Sequence, residues 1–490
     1  MEPALPSTAH SASGAGAQPY HGTDRLIVGI VLAVITFWLF AQTTLNVAPV
    51  IRDALGISAG MSDLAVSITA LFSGIFIIVA GELADRLGRV AVTYAGLALS
   101  VLGSLLIAVS PTGTATFLIA GRVIQGLSAA CIMPATLALM KAYYQGNARQ
   151  RALSFWSIGS WGGSGLSALF GGLVASTLGW RWIFWMAIVA ALASFLLIRG
   201  TPESKVARTE PSPFDWAGLV AFVITMVALN VAISQGATLG WWSPRVIMLA
   251  AVCVLCAIVF FKIETGSKAG FVDLTLFANR TYSGATLSNF LLNGAAGTLL
   301  VVLTLVQQQA GLSSLQSGLL TVGYLVAILS TIRVGEKLLQ RMGPRKPMLL
   351  GCWITAAGIL LTTATFLLAG QYLIVAFVGF TLFGIGLGFY ATPSTDAALA
   401  NVPDDKAGSA SGIYKMASSL GAALGVAISA AIFTGLSRMQ TIAPIAAIAM
   451  GRTDNIDVRF AASVALAFNV VMVVVAIIAI VVTVPREKAR

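Results

Sequence analysis

Long apolar runs, separated by short connections that carry most of the charge, are the feature that most constrains how this chain folds. The chain has 490 residues, of which 58% are hydrophobic and only 10% are charged. About fourteen of the runs are long enough to cross a bilayer, since a spanning helix needs about 20 apolar residues. A soluble domain is usually about a quarter charged, so the composition argues against a water-soluble fold.

The apolar segments fall into two sets of six, with two more between the sets. Their predicted positions are 26–50, 63–82, 90–110, 114–141, 151–178 and 181–199, then 214–234 and 244–264, then 283–310, 315–338, 347–368, 371–398, 407–436 and 459–484. The sequence therefore predicts an all-α integral membrane protein. Its parts are a disordered cytosolic tail (1–25), an N-terminal six-helix bundle (26–199), a linker with two extra transmembrane helices (200–280), and a C-terminal six-helix bundle with a short cytosolic tail (281–490).

The distribution of basic residues predicts the orientation. If the N-terminus is cytosolic and the segments alternate, the 29 Lys and Arg residues divide into about 21 cytosolic, about 6 external and about 2 intramembrane positions, as the positive-inside rule requires. The external positions are Arg52, Arg181, Arg245, Arg438, Arg452 and Arg459. We expect a multi-pass plasma membrane protein, of the bacterial inner membrane type, with both termini in the cytosol.

Several function classes fit the residue pattern poorly. The net charge of +11 does not indicate nucleic acid, because the basic residues are spread over short connections rather than forming one patch. Both histidines, His10 and His21, lie in the polar tail, and the only adjacent acidic pair is Asp404–Asp405. No GxxxxGK[ST] motif for ATP is present. We therefore expect no cofactor, no metal and no enzyme activity; a membrane enzyme and a non-transporting sensor are remote alternatives.

The stretch GELADRLGRV at 81–90 resembles the loop signature of the major facilitator superfamily. Five further stretches resemble motifs of that family, the last three those of its fourteen-helix drug–proton antiporter branch: LIAGRVIQGLSAA (118–130), WRWIFW (180–185), FDWAGLV (214–220), LVQQQAGLSSLQSGLL (305–320) and AGSASGIYKMASSLGAALGVAIS (407–429). The sequence departs from the family at Ala41, where an Asp is common, and at Ser167 and Ala168, which replace Gly-Pro. The resemblance implies two six-helix bundles plus two helices.

The charged loop is predicted to form a cytosolic latch. Gly81 leaves room for a neighbouring helix, and the small residues from Gly408 onward on the thirteenth segment are the expected partner. Asp85 would then lie at the positive start of that helix. The gating residues are Gly81, Asp85, Arg86, Gly88 and Arg89, with the arginines held by carboxylates or lipid phosphates. The alternative is a solvated inner turn.

Three ionisable residues lie at membrane depth, where such groups are functional candidates. With a rise of about 1.5 Å per residue, Asp396 and Lys415 reach similar depths on consecutive antiparallel helices. We predict that Asp396 is a protonation site with Lys415 as its partner in one state; a static pair or a snorkelling lysine is the alternative. The family implies that Arg122 takes part in proton coupling. Because Ala41 supplies no carboxylate, Gln42 and Gln125 are its expected oxygen partners.

The resemblance also implies a cavity lined by the first, fourth, ninth and twelfth segments. Its predicted polar residues are Gln42, Asn46, Gln125, Asn289, Asn293 and Tyr390, each of which could instead join helices. Sparse polar groups in an apolar cleft suit an amphipathic organic molecule. The predicted function is proton-coupled export of such compounds (multidrug efflux) by alternating access; the alternative is an exporter of one endogenous metabolite or lipid-like molecule. The predicted partners are substrate, protons and membrane lipids, and we expect a monomer.

Overall fold

The computed structural model describes residues 20–205, 215–266, 274–312, 318–367, 369–437 and 454–486. Within these ranges the chain forms helices and no strand, which confirms the predicted all-α class. Most of the predicted N-terminal tail (1–19), the middle of the connection after the sixth helix (206–214) and the predicted external residues Arg438 and Arg452 lie outside the described residues.

Six helices follow one another in the first part of the chain, and we call them the N-terminal helices. They are α1 (Asp24–Leu55), α2 (Ala59–Leu87), α3 (Arg89–Ala108), α4 (Thr116–Tyr143), α5 (146–177) and α6 (Arg181–Ile198). The Thr23 hydroxyl accepts an N–H in the first turn of α1, and the Ser58 hydroxyl does the same for α2. Such caps satisfy backbone donors that the helix itself cannot.

The start of α1 corrects the predicted boundary of the tail. Residues up to 25 were expected to be disordered, but α1 begins at Asp24. Before it, the Tyr20 ring packs edge-on against the Tyr143 ring, with the centroids 4.9 Å apart. The Tyr144 hydroxyl donates to the Thr23 carbonyl oxygen over 2.7 Å. Aromatic packing against the end of α4 therefore orders the last residues of the predicted tail.

Eight further long helices follow in the described part of the chain. They are α7 (Trp216–Leu239), α8 (Pro244–Gly266), α9 (Arg280–Gly294 continuing as Gly297–Ala310), α10 (Val322–Met342), α11 (Arg345–Thr362), α12 (Ala369–Ala400), α13 (Ala407–Ser437) and α14 (Ile456–Thr483). We call α9–α14 the C-terminal helices. Helices α7 and α8 pack on each other through Phe222 and Phe260, whose ring centroids are 5.5 Å apart.

Ten helices in the described residues are long and apolar enough to cross a membrane. Their outward side chains are apolar: Val189 is 67% exposed, Ile374 68% and Val482 72%. Contiguous exposed apolar surface of this kind is stable against lipid and not against water. The prediction of a multi-pass membrane protein is therefore confirmed.

Two N-terminal helices are interrupted by π-helical turns at the same level. The turn in α1 spans Thr36–Ala41, and the turn in α5 spans Ile158–Gly162, within the glycine-rich run of that helix. The two turns contact each other. Single π turns inside α-helices are frequent at functional sites because they redirect backbone carbonyls.

The N-terminal and C-terminal helices meet mainly at the end of the molecule that carries the 81–90 loop. There α2 and α4 pack against α13, and the first half of α5 packs against α10 and α12. Helix α7 lies against both α2 and α13. This arrangement brings the loop between α2 and α3 to the start of α13, where the first candidate site is found.

Candidate functional site

The backbones of the two sets of helices come into close contact at Gly81 of α2 and Gly408 of α13. A Cβ atom built on Gly81 would lie 2.5 Å from the Gly408 carbonyl oxygen. A real Cβ does not fit at that distance, so only glycine permits this contact. One turn further along α13, a Cβ on Gly412 would lie 2.9 Å from the Ile77 carbonyl oxygen. The predicted close packing of Gly81 against the small residues of α13 is therefore present.

Asp85 stabilises this contact through hydrogen bonds. Its two carboxylate oxygens accept the backbone N–H groups of Gly408 (2.9 Å) and Ser409 (3.0 Å), in the first turn of α13. Those N–H groups have no partner within the helix, and the helix dipole favours an anion there. Arg89, one turn later in the sequence, donates to the same carboxylate over 2.9 Å. Asp85 is 1% exposed, so the interaction is screened very little by water.

The remaining charges of the loop extend the same cluster, which we call the α2–α13 clasp (Gly81, Glu82, Asp85, Arg86, Arg89 with Gly408 and Ser409). The Ser409 hydroxyl donates to the Glu82 carboxylate over 2.7 Å, and Arg86 pairs with Glu82 over 2.6 Å. Arg89 also donates to the Asp404 carbonyl oxygen. Carboxylates or lipid phosphates were predicted as partners of these arginines, and the structure shows carboxylates for both.

Gly88 separates α2 from α3 and has a φ of +122°, a conformation that favours glycine. Helix α3 begins at the next residue. Its first N–H groups are capped by a residue that lies more than 100 positions later in the sequence. The Val90 and Ala91 N–H groups each donate to the Glu203 carboxylate over 2.9 Å. Glu203 was not predicted, because its place after α6 is read from sequence only as a polar connection.

A second residue that the sequence did not reveal is Lys141, near the end of α4. Its ammonium donates to the Val402 carbonyl oxygen and lies 3.3 Å from an Asp404 carboxylate oxygen. Both partners belong to the turn between α12 and α13. Lys141 thus joins the N-terminal and C-terminal helices beside the clasp.

Asp396 does not form the predicted salt bridge with Lys415. It pairs with Arg149, in the first turn of α5, over 3.0 Å, and the Gln150 amide lies 3.5 Å from its other carboxylate oxygen. Asp396 is 5% exposed. The prediction compared depths along two helices but not the faces on which the side chains lie. The partner comes from a third helix, and the pair is a second connection between the two sets of helices; we call it the α5–α12 pair.

Lys415 is instead held by aromatic rings. Its ammonium lies 4.0 Å from the centroid of the Trp156 ring and 5.6 Å from that of Tyr414. Among the residues that the structure describes, no carboxylate lies within ion-pair distance of it. The Trp156 indole is fixed by an N–H···O bond of 3.0 Å to the Thr136 hydroxyl. A cation over an indole face is favourable, but it leaves the positive charge uncompensated.

Arg122 is 2% exposed and is surrounded by oxygen atoms of uncharged groups. It donates to the Ala65 carbonyl (2.9 Å), the Ala41 carbonyl (2.8 Å) and the Gln125 side chain (2.8 Å). The predicted Gln125 contact is confirmed, whereas Gln42 is not a partner. Ala41 ends the π turn of α1, so a backbone carbonyl supplies the oxygen at the position where the family resemblance led us to expect an Asp. Arg122 links α1, α2 and α4.

The polar residues predicted to line a cavity divide into two groups. Asn289 donates to the Tyr414 carbonyl (3.1 Å) and the Ser418 hydroxyl (2.6 Å), and Asn293 donates to Asn289. The Tyr390 hydroxyl is 2.7 Å from that of Ser288. Asn289 and Tyr390 thus join α9 to α13 and to α12, whereas Asn293 bonds within α9; none of the three lines the cavity described below, which corrects the prediction. The rotation of α9 and α12 turns these side chains away from the cavity.

Gln42 lines a cavity of about 560 Å³ between α2 and α13, while the predicted Asn46 is exposed and does not line it. The cavity begins where the two helices separate beyond the clasp, at Ile77 on α2 and Lys415 on α13. One side is formed by Met226 of α7. Its volume is in the range of cavities that hold drug-sized molecules.

Two sets of membrane helices that touch at one end and enclose a cavity beyond it form the architecture of a secondary transporter. The sequence profile of the Major Facilitator Superfamily matches residues 27–278 and 285–490. The chain belongs to this superfamily, and the prediction of a transporter rather than an enzyme is confirmed.

Curated relatives and solved structures agree with this assignment. Over 433 residues the chain is 51% identical to the quinolone resistance protein NorB of Staphylococcus aureus strain MRSA252 and 52% identical to that of strain Newman. Each match covers 88% of this chain and 93% of the relative.

Two solved structures share the fold. The proton:xylose symporter XylE has a TM-score of 0.62 at 16% identity, covering 95% of this chain and 96% of that one. The human organic anion transporter MFSD10 has a TM-score of 0.56 at 17% identity, covering 92% of this chain and 98% of that one. At these identities the likeness concerns the fold alone.

Proposed function

We propose that this protein exports amphipathic organic compounds from the cytosol in exchange for protons, by alternating access. The relatives that share about half of its residues are named for quinolone resistance. The observation that carries the proposal is the cavity of about 560 Å³, mostly apolar, that is closed at one end by the clasp. Such a cavity suits an organic molecule with a large apolar part.

The finer arrangement is part of the proposal. All fourteen long helices cross the membrane, as in the fourteen-helix drug–proton antiporter branch, with α1–α6 and α9–α14 as the two moving bundles. Helices α7 and α8 are the additional pair, and the contact of α7 with α2 and α13 supports its position beside the gap between bundles. The basic residues of the clasp, with Lys141 and Arg149, support a cytosolic position of this end under the positive-inside rule. We propose that both termini are cytosolic and that a monomer is sufficient.

In this arrangement the clasp is the cytosolic gate. The Gly81–Gly408 approach and the Asp85 hydrogen bonds hold the bundles together on the inner side. Beyond Gly412 the same helices separate around the cavity. With this orientation, the structure corresponds to a state closed toward the cytosol. Substrate loading from the cytosol requires the clasp to open, and release to the outside requires it to form again.

The α5–α12 pair is the proposed point of proton coupling. A proton on Asp396 removes the charge that attracts Arg149, and this weakens the inner closure so that the cytosolic side opens. Release of that proton to the cytosol restores the pair and closes the gate again. For each cycle to move one proton inward and substrate outward, the proton that binds Asp396 must arrive from the outer side. At 100 mV one charge supplies about 2.3 kcal/mol, enough for a roughly 50-fold gradient of a neutral substrate.

Arg122 has a supporting part in this proposal. Its guanidinium stays protonated and joins α1, α2 and α4 through two backbone carbonyls and Gln125. A rearrangement of the α1 π turn would change the Ala41 contact first. Arg122 therefore couples the shape of α1 to the position of α2, which carries the clasp.

The experiment is accumulation of a fluoroquinolone in inverted proteoliposomes with an acidic lumen. We expect accumulation that an ionophore abolishes, and a loss of about tenfold or more in Asp396→Asn, which cannot exchange the proton. Asp53→Asn is the matched control, because Asp53 is exposed and remote from the closure. Equal accumulation with and without the gradient would contradict proton coupling. Unchanged gradient dependence in Asp396→Asn would remove Asp396 from the mechanism.

A further inference from the structure

The cavity has one charged side chain at its inner end. Lys415 lies on α13 one turn beyond Gly412, so it occupies the place where α2 and α13 begin to separate. It is 8% exposed. The rest of the lining is apolar or uncharged, with hydroxyl groups from Ser418 and Ser419 beside it. Any molecule that fills this cavity therefore meets a single fixed positive charge.

That charge has no negative partner in the described part of the chain. Its neighbours are the Trp156 and Tyr414 rings, 4.0 and 5.6 Å away. Burying an ammonium without a counter-charge costs free energy that a ring face returns only in part. An anionic group that enters the cavity supplies the missing counter-charge and is itself desolvated beside its partner.

We infer that Lys415 is the anion-binding subsite of the transport cavity, and that the preferred substrates carry a carboxylate on an aromatic body. This inference rests on the proposed function, because it names the substrate class of that same cavity. The carboxylate lies against the Lys415 ammonium. The flat body extends outward along the apolar wall formed by Phe37, Trp38 and Met226.

The same geometry disfavours purely cationic compounds. A permanent cation brought to the inner end would face Lys415 with no acidic side chain in the cavity lining to offset the repulsion. Selectivity for acids and zwitterions over cations therefore follows from this one residue. It also separates Lys415 from proton coupling, which we propose for Asp396 and Arg149, two paired residues outside the cavity lining.

The test is equilibrium binding to the purified full-length protein by isothermal titration calorimetry, with no gradient present. The probes are a fluoroquinolone carboxylic acid and the carboxamide made from it. In the wild-type protein we expect the acid to bind about tenfold more tightly. Lys415→Gln should bind the acid about tenfold more weakly and the amide about as tightly as wild type. Lys415→Arg should keep the preference for the acid. Lys262→Gln, an exposed lysine on α8, is the control and should behave as wild type.

Two results would overturn the inference. One is equal affinity of the acid and the amide for the wild-type protein. The other is a preference for the acid that persists in Lys415→Gln. If that variant does not fold, the wild-type ratio and Lys415→Arg decide the question. Because binding is measured without transport, a protein that prefers the acid but shows no flux in proteoliposomes would contradict the export proposal and leave this subsite standing.

Discussion

The α2–α13 clasp and the α5–α12 pair close the same side of the molecule by different means. The clasp rests mainly on backbone groups: two glycines are in contact and an aspartate accepts two N–H groups, with ion pairs of Glu82, Arg86 and Arg89 around them. The pair consists of side chains: Arg149 and Asp396, with Gln150 beside them. One proton removes the attraction in the pair, whereas the clasp keeps its packing and its Ser409–Glu82 bond. The closure of this side therefore has two parts. One depends on how the helices pack, and the other depends on the charge of Asp396.

The largest effect is expected from Gly81→Ala. The new Cβ would lie 2.5 Å from a backbone oxygen that cannot move without shifting α13. Overpacking of this kind costs about 1–3 kcal/mol, which displaces the balance between closed and open states by about 5- to 150-fold. Export measured as gradient-driven accumulation should fall accordingly. The control is Gly172→Ala, where a Cβ meets nothing within 4 Å. Full activity of Gly81→Ala would show that the clasp does not need contact between backbones.

A smaller effect is expected from Asp85→Asn. The amide keeps one acceptor oxygen but turns its NH₂ toward the other N–H of α13, and Arg89 loses its carboxylate. We expect export to fall about tenfold while its dependence on the pH gradient remains, since the α5–α12 pair is intact. Asp405→Asn, in the exposed turn before α13, serves as the control. Loss of gradient dependence in Asp85→Asn would transfer proton coupling to the clasp and remove the distinction between the two closures.

The smallest effect is expected from Glu203→Gln. Its carboxylate caps α3 through the Val90 and Ala91 N–H groups, but it is exposed. Removal of this charge should cost about 0.3–1 kcal/mol of stability, seen as a slightly lower thermal unfolding midpoint. Export should stay within about twofold of wild type, because neither closure is touched. An unchanged midpoint would show that water replaces the cap.

The sequence was sufficient for the parts of the fold that depend on local pattern. The apolar runs located the helices, and the charges and glycines of residues 81–90 predicted the clasp, because Gly81, Asp85 and Arg89 act through spacing within one loop. The sequence was not sufficient where the rotation of a helix determines which neighbour a side chain contacts. Lys415 and Asp396 were predicted to pair but contact different partners, and Asn289 turns toward α13 instead of the cavity. Arg149 lies 247 residues from its partner, a pairing that only the packing of α5 reveals.

The most direct test of the account measures the separation of the two sets of helices at the closed end. Nitroxide labels at Leu87 and Asn401, both exposed, would be followed by dipolar EPR in lipid nanodiscs after removal of the native cysteines. The account predicts one short separation at alkaline pH. A second, longer separation should grow on acidification and be already present in Asp396→Asn. An identical distribution at both pH values and in the variant would contradict closure of the cytosolic gate by a pair that a proton releases.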